Sequence, residues 1–162
     1  MLREKLRNKK GFTLIEIIVV IVILAVLMAV AVPSVMSYMN EGNKAKYETV
    51  ARAALINTQT AVAKDYGDDG KINNPTDVVA WIDGTAGDTV DQYFGSKKTY
   101  GSGVTVVTTE IKLNAAKDDV TEAKFSISLD GKNYRVVTVE VNGKMSVGAE
   151  STAAGSPAGA YQ

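Results

Sequence analysis

From Phe12 to Val32 the chain is apolar except at Thr13 and Glu16, and Ile17 to Val32 is unbroken. About 20 apolar residues span a bilayer as a helix, so residues 12–33 read as a membrane-spanning or similarly buried helix. Pro33 removes an amide and crowds the preceding turn, but helical periodicity resumes after it, which predicts a kink rather than a stop. From Tyr47 onward, Val50, Ala51, Ala54, Leu55, Ala61 and Val62 recur at spacings of three and four, giving residues 34–64 one apolar face. A helix over 12–64 would be about 80 Å long, far beyond a bilayer, so its outer half has to carry a domain. Gly42 is a weak point in that helix, at about 1 kcal/mol relative to alanine.

The pattern then changes. Residues 65–102 are rich in Asp, Asn, Gly and Thr and read as a long connection with one short helix near Asp77 to Ile82. Val104 to Leu113, Ala123 to Leu129, Tyr134 to Val141 and Lys144 to Val147 carry β-branched residues in partial alternation and read as strands. Asp130-Gly131 and Asn142-Gly143 supply turns, so residues 103–150 are expected to form an antiparallel meander. Its apolar side can cover the helix face, giving an α+β head on a long helix. Residues 151–162 are small and polar and are expected to form a flexible tail.

Composition sharpens this picture in two places. The formal charge is zero, yet residues 1–11 hold Arg3, Lys5, Arg7, Lys9 and Lys10 against Glu4 alone, which leaves the remainder acidic. A basic stub before an apolar run stays in the cytoplasm, so the C-terminal part is expected outside, and an acidic domain has no bulk attraction for nucleic acid. Cysteine and histidine are both absent. That removes disulfides, thiol nucleophiles, lipoprotein anchoring, most zinc sites and every triad that needs imidazole.

The apolar run has two ordinary readings. Ala29-Val30-Ala31 offers an A-x-A cleavage site behind a basic stub, as in a secretory signal, although Glu16 interrupts the apolar region and the helical pattern continues past Ala31. As a plain anchor, the run would tolerate Glu16 near one end at a reduced cost, and Thr13-Leu14-Ile15-Glu16 fits the T-x-x-E capping box.

Taken together, a basic leader, Gly11, Phe12, Thr13-Leu14-Ile15, Glu16, a long apolar stretch and Pro33 resemble the N-terminal signature of type IV prepilins. The resemblance covers residues 1–33 and, beyond them, only the architecture. It implies the type IV pilin fold and a structural subunit, not an enzyme, with no catalytic residue, cofactor or metal of its own. It implies cleavage of the Gly11–Phe12 bond by a prepilin peptidase, removing residues 1–11 as a leader, and N-methylation of Phe12. It also implies that Glu16 recruits the subunit into a filament by attraction to a neighbouring N-terminal amine. Pro33 belongs to the same helix-packing segment. The implied partners are the peptidase, an assembly platform with its ATPase, the cytoplasmic membrane before assembly, and further copies of the chain in an extracellular pilus. Length and an intact Glu16 favour a major pilin over a pseudopilin or minor pilin. A single-pass anchored binding domain is the alternative from another class. The missing cysteines, where Gram-negative relatives commonly close a disulfide, point to a Gram-positive, clostridial-type source. Twitching, adhesion, biofilm formation and DNA uptake are all compatible with the resemblance, which does not choose among them.

Other chemistry reads weakly. Asp65, Asp68, Asp69, Asn73 and Asp77 are acidic and amide groups near one another in sequence, but Gly67 and Thr76 fall at ligand positions of an EF-hand spacing begun at Asp65, so a solvated turn is expected. Gly101-Ser102-Gly103 precedes a strand and reads as a turn rather than a phosphate loop. Lys97 and Lys98 read as solvated, Trp81 as a packing residue, and the pairs Asp68, Asp69 and Asp118, Asp119 as turn acids with nothing to raise their pKa.

Overall fold

The computed structural model describes residues 11–69 and 75–156. They form α1 (Leu14–Asp69), α2 (Pro75–Ile82), α3 (Asp88–Phe94), β1 (Thr105–Leu113), β2 (Val120–Ser128), β3 (Tyr134–Glu140) and β4 (Met145–Ser151). The chain divides after Gly42 into two compact units. The described residues of the first are helical from Leu14 and bury no core: every large apolar side chain from Phe12 to Met39 is exposed. α1 passes Pro33 without stopping.

The second unit, from Asn43, contains the core. Tyr47, Ala51, Ala54, Leu55, Thr58, Ala61, Val62 and Asp65 are all buried, which continues the expected three- and four-residue spacing beyond residue 64. Asp65 is therefore not in a solvated turn. It is 2% exposed on the buried face of α1, which runs five residues past the expected end. Opposite lie Val106, Phe125, Ile127, Val137 and Val139 of the sheet, with Val78, Val79, Trp81 and Ile82 of α2 completing one cluster.

The sheet is antiparallel in the order β1-β2-β3-β4, a meander as expected. Two strands are longer than their residue types suggest. β2 starts at Val120, which pairs with Leu113 and is buried. β4 continues through Gly148-Ala149-Glu150 to Ser151, because Glu150 and Ser151 find Arg135 and Tyr134 opposite on β3, and Arg135 also forms an ion pair with Glu150 at 3.2 Å. Cross-strand partners here override low strand propensity. Ser151, the first residue of the expected tail, thus ends a strand, and residues 157–162 of that tail lie outside the described residues.

Both turns use their glycine at positive φ, 73° at Gly131 and 92° at Gly143. At the second, Gly143 N–H donates to Glu140 O and Glu140 N–H to Lys144 O, closing a three-residue loop whose last residue is left-handed. In the first, the Asp130 carboxylate accepts from Lys132 N–H, Asn133 N–H and Asn133 Nδ2, which hold its pKa far below the usual carboxylate range.

The stretch expected as a connection is more structured than its composition suggests. Besides α2 it contains α3, whose Phe94 lies 5.6 Å from the Trp81 ring. Trp81 donates to Gly95 O at 2.7 Å, and Lys98 places its ammonium 4.5 Å from the ring centre. Lys98 is thus engaged rather than merely solvated. The connection is fastened at two polar points. Tyr100 donates to Ile82 O at 3.0 Å and accepts from Asn57 Nδ2 of α1 at 3.3 Å; burial pushes its pKa up to about 12. Asp83, just beyond α2, accepts from Thr108 N–H at 2.8 Å and Thr108 Oγ1 at 2.5 Å. β1 is an edge strand, so Asp83 satisfies an amide that the sheet leaves open and keeps that edge from pairing elsewhere.

Candidate functional site

The residues singled out by sequence lie at the start of α1. Residues 11–13 are non-helical and exposed, and the helix opens at Leu14. The Gly11–Phe12 bond therefore sits in an accessible strand of backbone, and the space around Gly11 is open. Phe12 is 84% exposed.

Glu16 is one helical turn further on. Its Oε2 accepts from Thr13 N–H at 2.7 Å and Thr13 Oγ1 at 2.9 Å, and Glu16 N–H donates to Thr13 Oγ1 at 3.3 Å. This is the reciprocal capping box: side chain and backbone exchange bonds in both directions, and the carboxylate faces the positive end of the helix. Glu16 is thus satisfied within its own chain. Its neighbours along the helix, Ile15, Ile17, Val19 and Val20, are exposed and apolar. Each such side chain costs roughly 1.5–3 kcal/mol to leave in water, so the segment needs lipid or other helices around it. By length and composition α1 can cross a membrane, with no part of its most apolar window buried in its own fold.

Residues 6–32 match the prokaryotic N-terminal methylation motif. The chain carries a prepilin-type methylation signal. That match, over 27 of the 162 residues, supports a type IV pilin-like prepilin. A long N-terminal helix and a four-stranded antiparallel sheet make the chain α+β, consistent with the type IV pilin fold. Such a signal, joined to an exposed apolar helix, fits membrane anchoring before assembly and a pilus afterwards. No curated protein and no solved structure matches the chain.

Gly11, Phe12 and Thr13 lie immediately before α1 and Glu16 in its first turn, while Pro33 lies further along α1. Asp65 is on the buried face of α1 and Asp77 is in the first turn of α2, whereas Asn73 and the side chains of Asp68 and Asp69 lie outside what the structure describes. Among the described residues no three acidic side chains converge as a metal site would require. Sequence reasoning did not single out Asp83, Thr108 or Tyr100. No spacing rule links residues 83 and 108, and only the fold makes them neighbours.

Proposed function

We propose that this chain is the major subunit of an extracellular type IV pilus. The single observation that carries the reading is the methylation motif over residues 6–32 joined directly to a fully exposed apolar helix. Prepilin peptidase cuts between Gly11 and Phe12 on the cytoplasmic side, where the basic leader holds the N-terminus. The new α-amine of Phe12 is then methylated. The processed subunit waits in the cytoplasmic membrane as a single-pass protein, and a platform and ATPase extract it into the filament. There the apolar helices exchange lipid for one another, and Glu16 and the stretch around Pro33 set their packing. An unpaired carboxylate in such a core costs several kcal/mol, so Glu16 favours the register in which an amine lies close.

The capping box refines this assignment. Thr13 and the Phe12 amine are adjacent in sequence, so cleavage creates a cation beside the partner that Glu16 already holds. The carboxylate can then keep its Thr13 bonds while a subunit amine, its own or a neighbour's, takes the free lone pairs.

Intact-mass and N-terminal analysis of sheared surface filaments tests the proposal. The expected species begins with N-methylated Phe12. An unprocessed leader, or filaments without this chain, refutes it. A Glu16→Ala chain is expected to be cleaved normally and to form no filaments; normal piliation removes Glu16 from assembly. A pseudopilin or minor pilin would show the same processing but be a trace component of the filaments, so its abundance separates the two readings.

A further inference from the structure

β4 is followed by a turn back over the sheet. Its last residue, Ser151, pairs with Tyr134 of β3, and Ala153 N–H donates to Ser151 Oγ at 3.1 Å. Two residues later Gly155 N–H donates to Ser126 Oγ of β2, also at 3.1 Å. Ser126 lies between Phe125 and Ile127, which enter the core, so its hydroxyl is on the opposite, outer face. On that face its register partner Val136 is 43% exposed, yet Ser126 is only 1% exposed. Residue 155 covers it. A Cβ at 155 would approach Ser126 Cβ to 3.2 Å and would overlap Cγ2 of Thr109 on β1. Thr109 is the extra residue where the β1–β2 register slips, and its Oγ1 donates to Lys124 O at 3.0 Å, which fixes the direction of its methyl group. In the strand order β1-β2-β3-β4, a segment that leaves β4 and reaches Ser126 and Thr109 connects one edge of the sheet with the other.

We propose that residues 152–156 are a strap that latches the outer face of the sheet, with Gly155 seated between Ser126 and Thr109, and that this latch keeps β4 from peeling away. β4 is the strand that needs it. It has one neighbour, its register with β3 is broken between Arg135 and Val137, and it carries Gly148 and Ala149, which contribute little packing. With no cysteine in the chain, the closure is non-covalent and can open and close. The residue type follows from the seat: at 155 there is no room for a side chain, whereas Thr152, Ala153 and Ala154 are exposed. The inference does not depend on the filament reading.

Amide hydrogen exchange of the full chain in detergent micelles tests it. Gly155→Ala is expected to speed exchange in the strap and β4 by about tenfold or more, with the α1 amides of residues 51–62 unchanged. Thr109→Ser removes Cγ2 and keeps the hydroxyl. In Thr109→Ser/Gly155→Ala, exchange should return to within about twofold of Thr109→Ser alone. Ending the chain after Ser151 should release β4 at least as far as Gly155→Ala does, and Ala154→Val should change nothing. The latch is refuted by wild-type exchange in Gly155→Ala, by failure of Thr109→Ser to relieve it, or by a protected β4 in the shortened chain.

Discussion

Asp83 is expected to make residues 43–156 more stable in mild acid than at neutral pH. Its carboxylate is drawn under the α2 end to hold Thr108, and burial raises its pKa from 3.8 to about 6, against the lowering effect of the two Thr108 bonds. The folded state thus holds the proton more tightly than the unfolded chain. The stability linked to that proton is fully present below about 3.8 and is lost as pH rises through about 6. A shift of about two units corresponds to roughly 3 kcal/mol at the most, since one unit is worth about 1.4 kcal/mol. Asp83→Asn removes the titration and keeps an oxygen for Thr108. It should leave the protein equally stable at pH 5 and pH 7.5 and exceed wild type at pH 7.5 by about 1–3 kcal/mol. Trp81 is the only tryptophan and is buried two residues away, so its fluorescence follows unfolding of this region in urea. Carboxylates with lowered pKa, such as Glu110 beside Lys124, act in the opposite direction and only as pH falls below their ordinary value of 4.5. The difference between wild type and Asp83→Asn across pH 5–7.5 therefore isolates Asp83. Identical pH dependence in the two chains would refute the reasoning.

Other substitutions probe other levels of the structure. Phe125→Ala empties the centre of the core, where the ring is fully buried, and should cost about 3–5 kcal/mol in urea unfolding. Asp83→Ala, unlike Asp83→Asn, leaves the buried Thr108 amide and hydroxyl without their acceptor and should destabilise by about 1–3 kcal/mol at pH 5. Gly143→Val forces a β-branched residue to a φ of 92° and should cost about 1–3 kcal/mol, with exchange rising first at the β3–β4 turn. Asp130→Ala removes the acceptor of Lys132 and Asn133 N–H, and both amides should exchange faster. In wild type these bonds should persist as pH falls through 3.8, where an ordinary aspartate protonates, and be lost only well below it, because the lowered pKa of Asp130 keeps the folded carboxylate charged there.

Local chemistry accounts for how much of the molecule was legible. The apolar helix, the helix face from Tyr47 to Val62 and the meander follow from periodicity, because burial on one face imposes a 3.6- or 2-residue repeat on the residues themselves. The Thr13–Glu16 box was legible for the same reason: capping partners are three residues apart in sequence as well as in space. α3 was not, since seven mostly polar residues carry no repeat and the helix is held from outside by Phe94 on Trp81. The reach of β4 to Ser151 was equally hidden, because Gly148 and Ala149 disfavour a strand and their pairing depends on β3.

The sequence by itself therefore determined what short-range physics can write: a methylation motif, an exposed apolar helix with its cap, a helix face to be covered, and four strands to cover it. Tertiary structure decided the contacts that join distant residues, among them Asp83 with Thr108, Tyr100 with Asn57, and Gly155 with Ser126 and Thr109. Those pairs are separated by 25 to 46 positions and obey no repeat. Only closing the chain onto its own core creates the burial that raises the pKa of Asp83, and only the crossing of the sheet leaves a space at residue 155 that glycine alone can fill.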